Sequence, residues 1–256
     1  MSKRLFIALA LLLLSASPAR ADFAAGIKAY NMRDWRGAIV NLRPLANAGD
    51  ARAMILLANM YHDGYGVLQN RTEAMKLYKR AALEANNTQA MNAVAAMYVS
   101  GEGTAPNLLA AAGWFRRSAL LGDQTGALFY GIILFQGNNA PNNFFPPDFA
   151  KAYKWYKICA GEKQNPGYTK ICAHVADALA HKYLKKKQIE EIDKAAAAWK
   201  PLQPKDLGPP PPDQPPEKAP PEKLMPPPPR ITINPPVLPK PKSPKKNAPR
   251  PAELMP

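Results

Sequence analysis

A block of residues running from Asp50 to Ala82 comes back twice more in this chain, and that recurrence limits what the chain can fold into. The block opens Asp50-Ala51-Arg52-Ala53, passes through Met60-Tyr61-His62-Asp63-Gly64-Tyr65-Gly66, and ends Ala74-Met75-Lys76-Leu77-Tyr78-Lys79-Arg80-Ala81-Ala82. A shift of 37 carries Met60-Tyr61 onto Met97-Tyr98, Gly64 onto Gly101, Gly66 onto Gly103 and Ala74 onto Ala111. A further shift of 36 reaches Ile133-Leu134, Gly137 and Asn139, and the second half returns 41 residues after its second copy, at Ala152 to Ala160. Self-similarity at this period means small units stacked on one another, because one such unit cannot bury its apolar face alone.

Both halves of the unit have helical spacing. Ala53, Leu57, Met60 and Tyr61 stand at i, i+4, i+7 and i+8, a spacing repeated by Ala90, Val94, Met97 and Tyr98 and by Gly126, Tyr130, Ile133 and Leu134. In the second half, Ala74, Leu77, Tyr78, Ala81 and Ala82 are followed by Ala111, Trp114, Phe115, Ser118 and Ala119, then by Ala152, Trp155, Tyr156, Cys159 and Ala160. Each set is one apolar stripe on one helix. Small residues recur at fixed places in the stripes, where neighbouring helices would come closest. Glycine-rich pieces separate the halves: Gly64-Tyr65-Gly66, Gly101-Glu102-Gly103 and Gly137-Asn138-Asn139. Glycine supplies the positive φ that ends a helix, so the unit reads as helix, glycine loop, helix.

The pattern Ala-x6-Met-Tyr-x-x-Gly-x-Gly, followed by Ala-x-x-x-Tyr/Phe and a small pair, resembles the Sel1-like repeat, a relative of the tetratricopeptide repeat. The resemblance covers roughly residues 50 to 180. It implies an all-α fold, a right-handed superhelical α-solenoid, and use as a protein-binding scaffold; no catalytic residue comes with it. Asp22 to Gly49 adds an imperfect helix pair ahead of the three copies, with stripes Phe23, Ile27, Tyr30 and Trp35, Ala38, Ile39, Leu42, Leu45. A terminal unit has a neighbour on one side only, so an atypical sequence is expected there. Tyr168 to Leu179 and a last helix from about Lys187 to Lys200 make the count about five helix pairs. N-caps are expected at Asp34, Asp50, Asn87 or Thr88, and Asp123, and near Asp148.

The two ends differ from the middle. Residues 1–21 read as a signal peptide, with Lys3 and Arg4, an apolar run from Leu5 to Leu14, and Ala19-Arg20-Ala21 before Asp22. The apolar run is about ten residues, half of the roughly 20 that span a bilayer, so no transmembrane segment is expected in the mature chain. The expectation is a periplasmic or secreted protein. Of the 29 prolines, 22 fall in residues 201–256, which contain no aromatic residue. That composition cannot bury enough apolar area to form a core, and 201–256 is expected to be a disordered, extended tail.

The formal net charge is +15, and removal of residues 1–21 leaves 31 basic against 19 acidic residues. Within the tail, Lys240, Lys242, Lys245, Lys246 and Arg250 have no acid among them. They are candidates for docking on an anionic envelope polymer. Nucleic acid is disfavoured by the export signal and by the lack of a reader motif. In the third copy an insertion, residues 140–147, carries Phe144 and Phe145 between prolines. These either fold back on the helices or stand in solvent as a partner contact. Cys159 occupies a small core position and can be a buried thiol. The even cysteine count, the oxidising compartment and the turn centred midway between the two favour a Cys159–Cys172 bridge.

Catalytic constellations are absent from the sequence. His62, His174 and His181 have no partners at zinc spacing, His62 reads as an exposed loop residue, and Glu190-Glu191-Asp193 reads as a solvated acidic face. There is no nucleophile elbow or phosphate loop, and no cofactor is expected. Some cysteine-rich members of the resembled family hydrolyse or bind β-lactams, but they carry a cysteine pair in each unit, against one pair here. The expected function is therefore a non-enzymatic exported scaffold for a protein partner in the cell envelope. A cell-wall binding or spacer role for the tail, on peptidoglycan, is the alternative.

Overall fold

The computed structural model describes residues 22–138 and 145–213, and the proposed signal peptide, Phe144 and the basic cluster at 240–250 lie outside them. Ten α-helices follow one another among the described residues: α1 (Phe23–Met32), α2 (Trp35–Asn47), α3 (Ala51–Asp63), α4 (Arg71–Glu84), α5 (Thr88–Ser100), α6 (Leu108–Leu120), α7 (Gln124–Gln136), α8 (Phe149–Gly161), α9 (Pro166–Tyr183) and α10 (Lys186–Ala197). A short 3₁₀ turn, Pro204–Asp206, comes last. There is no strand among the described residues, and no helix there is long and apolar enough to cross a membrane.

Local chemistry accounts for the helix ends. Asp34, Asp50, Asn87, Asp123 and Asp148 cap α2, α3, α5, α7 and α8, each side chain accepting from a backbone N–H in the first turn. Of the two candidates at the start of α5, Asn87 is the cap and Thr88 the first helical residue. Asn70 and Asn107 do the same for α4 and α6. The two glycines of each loop have separate tasks. Gly64 and Gly101 close their helices in the left-handed region, at φ 77° and 76°. Gly66 and Gly103 let the loop lie against the preceding element. A Cβ on Gly66 would stand 2.2 Å from Trp35 Cβ, and one on Gly103 would stand 2.5 Å from the Arg71 carbonyl oxygen.

The stripes face inward as the spacing requires. Ala53, Met60, Ala90, Met97, Ala74, Tyr78, Ala111, Phe115, Ala152 and Tyr156 are all essentially unexposed. Consecutive helices pack on one another from α1 to α9. This is the all-helical stack of consecutive pairs that the repeats call for. The last helix departs from strict succession, because α10 lies against α8. Trp199 meets Trp155 edge-on at 5.9 Å, Tyr153 Oη donates to Asp193 Oδ1 at 2.8 Å, and Lys157 pairs with the same carboxylate at 3.2 Å. Asp193 is thus not part of a merely solvated acidic face: it is the polar anchor of α10.

Cys159 and Cys172 are both fully buried, 5.9 Å apart at Cα, and joined as a disulfide between α8 and α9. The turn they flank is tied to α7 by Gln124, whose side-chain amide donates to the carbonyls of Cys159 (2.9 Å) and Glu162 (3.1 Å). Its side-chain oxygen accepts from Asn165 N at 2.6 Å. A buried glutamine with both ends satisfied is a specific joint rather than a packing compromise.

Candidate functional site

The packed part of the chain does not stop where the proline-rich composition begins. Residues 201–213 turn back along α6 as a strap. Leu202 N donates to the Leu120 carbonyl at 2.7 Å, and Pro201 sits over Gly122, where a Cβ would lie 2.9 Å from the ring. Arg117 donates to the Gly208 carbonyl. Pro211 rests on Gly113, where a Cβ would lie 2.7 Å from it. At the far end Asp213 Oδ1 accepts from Lys79 Nζ on α4 and from Tyr98 Oη on α5, both at 2.7 Å, while its carbonyl accepts from Asn107 Nδ2 at 3.2 Å. Composition alone put this segment outside the core, and it is indeed largely exposed. What holds it is a glycine seat under each of two prolines, the Leu202 N–H, and hydrogen bonds to the Gly208 and Asp213 carbonyls and the Asp213 carboxylate.

Between strap and helices lies a cleft of about 740 Å³, floored by Leu109, Ala112, Gly113 and Tyr130 and edged by Arg116 and Arg117. A second cleft, about 550 Å³, shares Leu109, Ala112 and Tyr130 and continues toward Phe145, Phe149 and Tyr183. Phe145 has folded back: it pairs with Asn138 through two backbone hydrogen bonds and packs against the core. Behind it Phe149 stacks on Tyr183 at 4.0 Å. The result is a continuous apolar surface over α6, α7 and the start of α8, with a basic rim.

The electrostatics of that rim are one-sided. Among the described residues no carboxylate pairs with Arg116 or Arg117, and the buried Nε of Arg117 has no hydrogen-bond partner. Burial holds the Arg117 guanidinium below its ordinary pKa. The ion pair at the end of the strap works in the opposite sense. The hydrogen bond from Lys79 holds the Asp213 carboxyl below the usual carboxylate range.

His62 is placed otherwise than its sequence position suggests. Its side chain is only 13% exposed, with Nδ1 at 2.6 Å from Asp63 and Nε2 at 2.6 Å from Glu102, so it bridges α3 to the glycine loop of the next unit. His174 and His181 are exposed. No group of three ligating side chains that could hold a metal occurs among the described residues.

The family model described as Sel1 repeat matches residues 51–86, 88–123 and 126–160. Among solved structures the chain is similar to a Sel1 repeat protein from Oxalobacter formigenes, with 25% identity, 53% of this chain and 97% of that one covered, and a TM-score of 0.45. It is also similar to a protective antigen present in uropathogenic Escherichia coli strains that displays an SLR fold, with 18% identity and a TM-score of 0.36. That match covers 72% of this chain and 47% of the other, about half its length. No curated protein is matched. Repeats of this kind generally form protein-interaction scaffolds rather than enzymes. Residues 51–160 thus carry three consecutive Sel1 repeats, each built as the helix pairs described above.

Proposed function

We propose that the chain is an exported, non-enzymatic scaffold that binds a protein partner in the cell envelope through the surface over α6 and α7. The observation that carries this reading is the apolar cleft beside two arginines to which the described residues offer no carboxylate. Aromatic and arginine side chains around a concave apolar floor are the composition of protein contact surfaces. The export part rests on residues 1–21, which have the charge, apolar length and small-residue ending of a signal peptide.

The test is site-specific photo-crosslinking in intact cells that make the full chain, followed by mass spectrometry. A crosslinker at Leu109, on the cleft floor, should capture a defined protein, whereas one at Val40, 63% exposed on α2, should not. Equal capture at both positions, or none at Leu109, would refute the assignment. Fractionation of the same cells should place a chain beginning at Asp22 outside the cytoplasm. Retention of residues 1–21 in the cytoplasmic fraction would remove the export claim.

A further inference from the structure

Part of the strap, residues 207–212, lines one side of the cleft over α6. Every contact that seats Leu207–Asp213 is one that a proline-rich strand from elsewhere can supply. A proline ring lies on Gly113, the Gly208 carbonyl meets Arg117, and one carboxylate sits between Lys79 and Tyr98. Proline strands suit such a site because their carbonyls are free of intrachain hydrogen bonds and their φ is already fixed, so little entropy is lost on docking. The strap also fits incompletely. Only Leu207 and Pro211 are half-buried, the cleft stays open beside them, and neither Arg116 nor Arg117 receives a carboxylate from the described residues. An occupant with more apolar bulk and further acidic groups would fill what the strap leaves empty.

We propose that the α6 face is a recognition site for an extended, proline-rich, carboxylate-bearing strand of a partner protein, and that residues 207–213 hold it in cis as a displaceable internal competitor. This rests on the scaffold reading above and names the partner's chemistry. The carboxylate is the discriminating group. The chain has a second run of four prolines, Pro226–Pro229, which ends in Arg230 where the first ends in Asp213. Set in the same register, that arginine would face the Lys79 ammonium, and like charges there oppose binding. A tethered occupant acts at an effective concentration on the order of millimolar, so a partner strand must exceed it in fit.

The experiment uses the full chain and a fluorescent peptide with the sequence of residues 205–214, read by fluorescence anisotropy. The variant Asp213→Lys removes the strap's carboxylate and repels Lys79. It should bind the peptide at least about tenfold tighter than wild type, because the internal competitor is weakened. A peptide with lysine in place of the aspartate that corresponds to Asp213 should bind that variant at least about tenfold more weakly, and the further change Gly113→Leu should abolish the site. A charge swap guards against a variant that merely misfolds: the lysine peptide should recover binding on Lys79→Glu. Equal peptide binding by wild type and Asp213→Lys, or no recovery in the charge swap, overturns the proposal. If Leu109 crosslinking still captures a protein in that case, the scaffold reading stands without the proline strand. If capture is lost as well, both readings fall.

Discussion

Gly126, at the start of α7, occupies the stripe position filled by Ala53 and Ala90 in the preceding units, and its replacement by alanine sets two effects against each other. Alanine is the better helix former by about 0.8–1.0 kcal/mol. The added Cβ would stand 2.6 Å from Ala119 N and 2.8 Å from the Phe115 carbonyl oxygen, both on the backbone of α6. Ordinary contact begins at 3.4 Å, so α7 must retreat by roughly 0.8 Å (3.4 less 2.6). Backbone cannot swing away as a side chain can, and overpacking of this kind costs about 1–3 kcal/mol. The net expectation for Gly126→Ala is a loss of about 0–2 kcal/mol. Gly161, the last residue of α8, is the control, because it has no positive φ and a Cβ there meets nothing within 4 Å. Gly161→Ala should therefore stabilise by up to about 1 kcal/mol. The difference between the variants isolates the overpacking cost. At about 2–4 °C per kcal/mol for a chain of this size, it should appear in thermal unfolding by circular dichroism as a gap of several degrees. A melting temperature raised equally by both substitutions would refute the close α6–α7 contact.

Three further outcomes follow from features described above. Cys159→Ala combined with Cys172→Ala should cost about 3 kcal/mol by the chain-entropy account of a loop closed over a separation of 13 residues; thiol labelling of both cysteines in the denatured but unreduced protein would contradict the bridge. Gln124→Leu keeps the volume but removes one of two donors from each of the Cys159 and Glu162 carbonyls, which retain Glu162 N and Thr169 Oγ1, and takes the acceptor from the Asn165 amide. It should cost at least about 2 kcal/mol, and an unchanged urea midpoint would show that the joint contributes nothing. The strap should release in acid. Because the Asp213 pKa is depressed in the folded protein, the contribution of this ion pair is complete above the free carboxyl value of 3.8 and is lost as the pH falls through the lower folded value. A fluorophore attached at residue 208 should report the release only below about pH 4, and release already complete at neutral pH would refute the Lys79–Asp213 attachment.

The repeat array was legible because its determinants are local and recur. The helical stripes, the small residues at close contacts and the Asp and Asn caps each lie within a few residues of what they act on. Three copies in register made chance agreement untenable. The features that escaped are those whose partners are far along the chain or outside the repeat. His62 is explained by Glu102, 40 residues on; comparing one unit's helix end with the next unit's glycine loop could have suggested the pair. Asp193 is read as surface charge until α10 is seen to lie on α8. The strap gave no periodic signal at all, since its attachment runs through one backbone N–H, two carbonyls, two proline rings and a carboxylate. Phe145 was left open by the sequence, and the backbone pairing of Asn138 with Phe145 decides it.

The strap also changes what kind of folding unit this array is. A solenoid whose units touch only their neighbours has low contact order; it can fray from either end, and its stability is close to a sum over units and interfaces. Here Asp213 reaches Lys79 across 134 residues of chain and Tyr98 across 115, which links the C-terminal edge to the middle of the stack. Opening of α9 and α10 therefore cannot be wholly independent of α4, α5 and α6 while the strap is seated. In native-state hydrogen exchange, the slow amides of α5 and α6 should lose protection when the strap is released, although no residue of those helices has changed. Seating or displacing this short segment thus sets whether the array opens one unit at a time or as a single block.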